Sequence, residues 1–127
     1  MQTRDQKYAL DVYKRVSQVK KEDRDSYGGM AHKLPILIRT SGLAQALTYV
    51  ESRGNPAQKQ LLSDLAATLQ TPNLTTTAIT AQLADYMYLT QQTMAALLWY
   101  KRFAQSVLDV KISDTTVSDN TPQIGDV

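Results

Sequence analysis

The 127-residue chain has no cysteine, one histidine, one tryptophan, one phenylalanine, four prolines and five glycines. Without cysteine there is no disulfide, no thiolate nucleophile and almost no route to a structural zinc site, and His32 alone cannot build a histidine metal cage. Motifs that carry chemistry are missing as well: there is no phosphate loop, no nucleophile elbow and no Gly-rich dinucleotide turn, since Gly28-Gly29 is merely a pair. No apolar run approaches the roughly 20 residues needed to cross a bilayer. The start, Met1-Gln2-Thr3-Arg4-Asp5, leads into no apolar signal core. A cytoplasmic protein is expected, with no catalytic residues, metal, cofactor, membrane partner or small-molecule substrate.

What is present is helical periodicity. The length suits one domain with one core, and the pattern predicts an all-α, compact single-domain bundle of about five to six helices over residues 1–110. From Arg4 to Lys20, the residues Ala9, Val12, Tyr13, Val16 and Val19 recur at helical spacing. Glu22 to Met30 reads as a loop or a weak helix interrupted by two glycines. Apolar side chains then concentrate in Leu34 to Ile38 and Leu43 to Val50, separated by the polar break Arg39-Thr40-Ser41-Gly42. Two helical pieces meeting at a hinge are expected there. Pro35 should kink or restart any helix arriving from upstream.

The sharpest local signal is Asn55-Pro56-Ala57-Gln58: an N-cap side chain, proline at the first helical position, and a glutamine placed to close a capping box. The helix it opens should bury Leu61, Leu62, Leu65 and Leu69 and stop at Thr71-Pro72. A short helix or turn is expected near Thr75-Thr76-Thr77. The segment from Ala81 to Val110 lacks Gly and Pro and predicts a long, central last helix. Its main seam reads as Leu83, Tyr86, Met87, Met94, Leu97, Leu98, Ala104 and Leu108, with Leu89, Ala96, Tyr100, Phe103 and Val107 as a second flank. Lys101 falls on the main seam, so it must snorkel to an edge, pair with a carboxylate, or lie where the seam opens to a partner. Residues 111–127 are rich in Ser, Thr, Asp and Asn and read as a flexible polar tail.

Net charge is only +2, but residues 1–60 hold eleven Lys or Arg against six Asp or Glu. On a helical wheel Arg4, Lys7, Lys14 and Lys21 fall together opposite the apolar stripe, with Leu10 among them. Such a row fits an anionic partner such as nucleic acid, and it also fits an ordinary solvated face. Glu22, Asp23 and Asp25 are the only carboxylates close enough in sequence to suggest a metal-dependent nuclease, but Arg24 sits between them and a solvated loop is the simpler reading. His32 has no sequence-adjacent catalytic partner and reads as a structural or surface residue.

Two stretches resemble one family. Leu34-Pro35, Leu37-Ile38 and Gly42-Leu43-Ala44-Gln45-Ala46-Leu47, followed some fifty residues later by Trp99 and Lys101-Arg102-Phe103-Ala104, look like the small subunit of type III-B CRISPR (Cmr) effector complexes. The likeness extends over nearly all of residues 3–110. It implies a non-catalytic subunit that stacks with copies of itself beside the backbone and large subunits and lines the channel holding the guide RNA/target RNA duplex. Cations that follow a phosphate backbone do not read sequence, and selection is left to base pairing. The candidate RNA contacts are Lys7, Lys14 and Lys21 in the first helix, Arg39 at the hinge, and Lys101 with Arg102 in the last helix. The alternative is a helical protein-binding scaffold with no nucleic-acid contact.

Overall fold

In the computed structural model, which describes residues 1–111, six α-helices and one 3-10 turn follow one another with no strand among the described residues. Helix α1 (Arg4–Val16) starts at a reciprocal capping box: the Thr3 hydroxyl accepts the Gln6 N–H, and the Gln6 side chain accepts the Thr3 N–H. Its buried stripe is Tyr8, Val12 and Val16, three residues in steps of four. Tyr13, expected on that stripe, is half exposed on its shoulder, because it lies one residue and therefore about 100° beyond Val12. After Val16 the helix tightens into Gln18-to-Arg15 and Val19-to-Val16 bonds and ends. Lys21 therefore opens a separate 3-10 turn, Lys21–Asp23, and does not extend the α1 row that the wheel predicts.

Helix α2 (Arg24–Ser41) runs where a loop before Met30 and a restart at Pro35 are among the expectations. The stretch from Arg24 to Met30 is regular helix through both glycines, and the helix passes Pro35 without restarting. Packing outweighs propensity here. Tyr27, Met30, Leu34 and Ile38 are all buried, and each such side chain is worth roughly 1.5–3 kcal/mol. That exceeds about 1 kcal/mol for a helical glycine and about 3 for the proline, which cannot donate to the Ala31 carbonyl. Gly42, at φ +87°, gives its N–H to the Ile38 carbonyl and turns the chain into α3 (Leu43–Arg53). The hinge stands as expected, with Leu43, Ala46, Leu47 and Val50 facing the core.

Helix α4 (Pro56–Thr68) carries the predicted capping box between Asn55 and Gln58 with Pro56 at its first position. Leu61, Leu62 and Leu65 are buried, while Leu69, just past the helix, is only partly so. The short α5 (Leu74–Thr80) precedes α6 (Leu83–Ser106), the longest helix, which packs against α1, α2 and α4. The chain then turns through Asp109 at φ 59°, and Val110 returns its N–H to the Ala104 carbonyl.

The core face of α6 is Leu89, Thr93, Ala96, Leu97, Tyr100 and Ala104, which takes Leu97 and Ala104 from the expected main seam and Leu89, Ala96 and Tyr100 from its flank. Leu83, Met87 and Leu98 from that seam are exposed. The helix is apolar on most sides, so its own pattern does not choose a face. The positions of α1 and α2 do. From residue 112 onward the expected tail lies outside the described residues.

Candidate nucleic-acid interface

On α1, Lys7, Leu10 and Lys14 point away from the buried Tyr8, Val12 and Val16, and all three are exposed. Residues seven apart on a helix return to nearly the same face about 10 Å further along the axis. Lys7 and Lys14 therefore make a two-cation row, and neither forms an ion pair among the described residues, although the charge of Lys14 reaches Asp11 and helps to lower its pKa. Arg15, next in sequence, is turned the other way and engaged with Asp11 at 2.9 Å.

The roll of α1 is set from inside by a polar network. Asp11 accepts from Arg15 Nε and, at 2.7 Å, from the Thr68 hydroxyl on α4. Thr68 has one hydroxyl proton to give, so the Tyr100 hydroxyl, 2.8 Å away on α6, donates to it in turn. Beside them the Tyr27 hydroxyl on α2 donates to the Asp64 carboxylate at 2.6 Å, and Gln60 donates to the other Asp64 oxygen at 2.9 Å. Burial pushes both phenols well above their usual range, and the Asp64 carboxylate adds to the shift. A cleft of about 350 Å³ adjoins this network, lined by Arg15, Lys20, Asp23, Tyr27 and Asp64 among others. Nothing in the local sequence around Asp11, Asp64 or Thr68 marks them as a buried cluster, because the partners come from helices far apart in the chain.

Where α6 meets α1, a ladder of rings forms. The Trp99 indole N–H donates to the Asp5 carboxylate at 3.0 Å, and its ring stacks on Phe103 with centroids 5.6 Å apart and planes 28° apart. Tyr13 meets Phe103 edge-on at 5.5 Å and 72°. The Arg102 guanidinium lies over the Trp99 ring, 5.3 Å from its centroid. Of these rings Trp99 and Phe103 lie in the family-like stretch, but their arrangement needs Tyr13 from the other end of the chain.

The six cations singled out from the sequence do not converge on one patch. Lys7 and Lys14 share the α1 face, and Arg102 stands at the α1–α6 edge. Lys101 is two residues from both Trp99 and Phe103, about 200° round the helix, and so lies on the side of α6 away from α1. It is half-buried beside exposed Leu98, without a carboxylate partner among the described residues. Of the three options for Lys101, the carboxylate pair is thus absent among the described residues; of its seam neighbours one turn away, Leu97 and Ala104 are buried and Leu98 is exposed. Arg39 is exposed in the last turn of α2, and Lys21 sits on its own turn.

Glu22 and Asp23 lie on the 3-10 turn and Asp25 in the first turn of α2, and no group of three or more His, Cys, Asp or Glu among the described residues is placed to hold a metal. His32 is buried, with Nε2 2.8 Å from the Val110 carbonyl. A carbonyl only accepts, so Nε2 carries the proton, and the buried Nδ1 has no partner. The imidazole fastens the end of the described chain to α2. No helix among the described residues is long and apolar enough to cross a membrane.

Fold and surface together define a small all-α protein with a basic and aromatic face. Comparison with known proteins gives its family. The model of the family described as "CRISPR-associated protein (Cas_Cmr5)" matches residues 4–107. The chain is 43% identical over 113 residues to the CRISPR system Cmr subunit Cmr5 of Thermus thermophilus, a match spanning 86% of this chain and 99% of the relative. It also superposes, with TM-score 0.74 and 41% identity, on the crystal structure of a CRISPR-associated Cmr5 family protein from Thermus thermophilus, covering 84% of this chain and 98% of the other. The chain belongs to the Cmr5 family, the small subunits of type III-B CRISPR systems.

Proposed function

We propose that the protein works as a non-catalytic small subunit of a type III-B effector, standing beside the backbone and large subunits and copies of itself, and that its α1 face follows the phosphate backbone of the target RNA. The observation that carries this reading is the Lys7–Lys14 row, exposed, on one face and engaged in no ion pair among the described residues. Phosphate contacts of this kind make affinity fall with salt through counterion release, by a slope of roughly 0.7 per phosphate neutralised on a single strand. Filter binding of target RNA by the assembled complex, across a salt series, tests it. Lys7→Ala with Lys14→Ala should weaken binding and lower the slope by about 1.4 per subunit engaged. An unchanged slope would remove α1 from the RNA path. Arg39→Ala, Lys101→Ala, Arg102→Ala and Lys21→Ala, measured alongside, show which other candidates belong with it.

A second reading, a helical protein-binding scaffold, is favoured by the other side of the molecule. Leu83, Met87 and Leu98 are 74%, 55% and 42% exposed along one strip of α6. On that reading, polar substitutions in the strip reduce incorporation into the complex, while the lysine variants leave RNA affinity intact.

A further inference from the structure

The ring ladder at the α1–α6 edge is more than the phosphate row requires. Phe103 stacks on Trp99, and the Arg102 guanidinium lies over its ring at 5.3 Å. Tyr13 and Arg102 are the exposed members of the group. Tyr13 is 50% exposed, its hydroxyl has no hydrogen-bond partner among the described residues, and exposed Leu10 and Lys14 flank it on α1. The exposed Arg102 guanidinium rests close enough over Trp99 to be held by the ring, and has no ion-pair partner among the described residues. The nearby acid, Asp5, is engaged by the Trp99 N–H. Other exposed aromatic side chains lack this construction: Tyr88 is 55% exposed with no ring stacked on it among the described residues.

We propose that this edge is a stacking platform for unpaired bases of single-stranded RNA, one base lying on Tyr13 and another on the outer plane of Arg102, with Lys14 and Lys7 taking the adjoining phosphates. The proposal rests on the RNA reading above and narrows it from backbone contact to base contact. Stacking is tolerant of sequence because every base has a π-face, and both aromatic rings and arginine planes serve as platforms. A base pair inside a duplex hides its faces, so the ladder discriminates by strandedness and not by sequence. A protein partner would meet the same excess of positive charge, but would need acidic groups to match three cations around so few apolar atoms.

The test uses the full chain and three probes: a single-stranded oligoadenylate, an abasic ribose-phosphate oligomer of the same length, and an RNA duplex. Trp99, the chain's one tryptophan, reports the site directly. Oligoadenylate should quench its emission and bind at least about fivefold more tightly than the abasic oligomer, and the duplex should leave the emission unchanged. Tyr13→Leu and Arg102→Lys, each checked for a native circular dichroism spectrum, should erase the preference for bases while keeping the weaker, salt-sensitive abasic binding. Equal binding of oligoadenylate and abasic oligomer overturns the platform and leaves the phosphate reading standing. Absence of binding to all three probes also overturns it, and the lysine variants in the assembled complex then decide the phosphate reading separately. Variants that keep the base preference but no longer join the complex show that the edge faces protein and overturn the platform too.

Discussion

Gly28 shows how one missing atom fixes a contact. A Cβ there would stand 2.7 Å from Val110 Cγ2 and 2.8 Å from its Cβ, closer than packed atoms allow. Gly28→Ala gains about 1 kcal/mol of helix propensity, but it must displace the segment that buries Val110 and accepts from His32. Losing the Val110 burial forfeits roughly 1.5 kcal/mol and the hydrogen bond about 1 more. The expected outcome is a net destabilisation of about 1–2 kcal/mol in urea unfolding, and a raised midpoint would show that the segment yields without loss. Asp11 answers to pH. Burial raises its pKa, but hydrogen bonds from Arg15 and Thr68 together outweigh that and hold it below 3.8. A depressed carboxylate stabilises the fold above its unfolded pKa and loses that contribution as pH falls through the folded value. With the side chain 38% exposed the pair is screened, so Asp11→Asn should cost no more than about 1 kcal/mol at neutral pH. As pH falls through the folded value, variant and wild type should converge, and a gap that persists in stronger acid would assign the effect to packing.

At the scale of the helices, α6 separates what its own sequence runs together. Leu97 and Met87 both sit on the seam that periodicity favours, yet Leu97 is fully buried and Met87 is 55% exposed. Leu97→Ala is therefore expected to cost about 2–5 kcal/mol, and Met87→Ala less than about 0.5, both read from denaturant midpoints. Similar costs for the two would restore the original seam. The difference marks where the sequence stops being informative. Caps are legible because their partners are three residues apart, as at Asn55 and Gln58. The stripe of α3 is legible because one face is apolar and the other is not. A helix apolar on most sides has its face chosen by neighbours, and α2 crosses Gly28 and Pro35 because those neighbours supply enough burial. The candidate site divides in the same way. Lys7 and Lys14 are placed together by a seven-residue step, whereas the Tyr13–Phe103 contact joins residues 90 positions apart and leaves no local trace.

For the molecule as a whole, the buried network has the widest reach, since it holds α1, α2, α4 and α6 through Asp11, Tyr27, Thr68, Asp64 and Tyr100. It also sets which side of α1 faces outward, and so where Lys7 and Lys14 stand. Its weak point is alkaline pH. Both phenols are raised by burial, so the unfolded chain, with tyrosines near pKa 10, releases protons that the folded chain retains. A group whose folded pKa is raised gives its full stabilisation below the unfolded value and loses it as pH climbs from there toward the folded value. Two such groups lower stability by about 2.7 kcal/mol for each pH unit above 10, enough within two units to remove much of the roughly 5–15 kcal/mol typical of a domain. Tyr100→Phe should halve that slope at a neutral-pH cost of about 1 kcal/mol, because Thr68 still donates to Asp11. Tyr27→Phe should halve it too, but at a larger neutral-pH cost of about 1–3 kcal/mol, since Asp64 keeps only Gln60 as a side-chain donor. Urea unfolding of the three proteins between about pH 8 and pH 12 measures both quantities. A slope left unchanged by both substitutions would mean that the alkaline transition starts elsewhere and that the network does not bind the four helices into one unit.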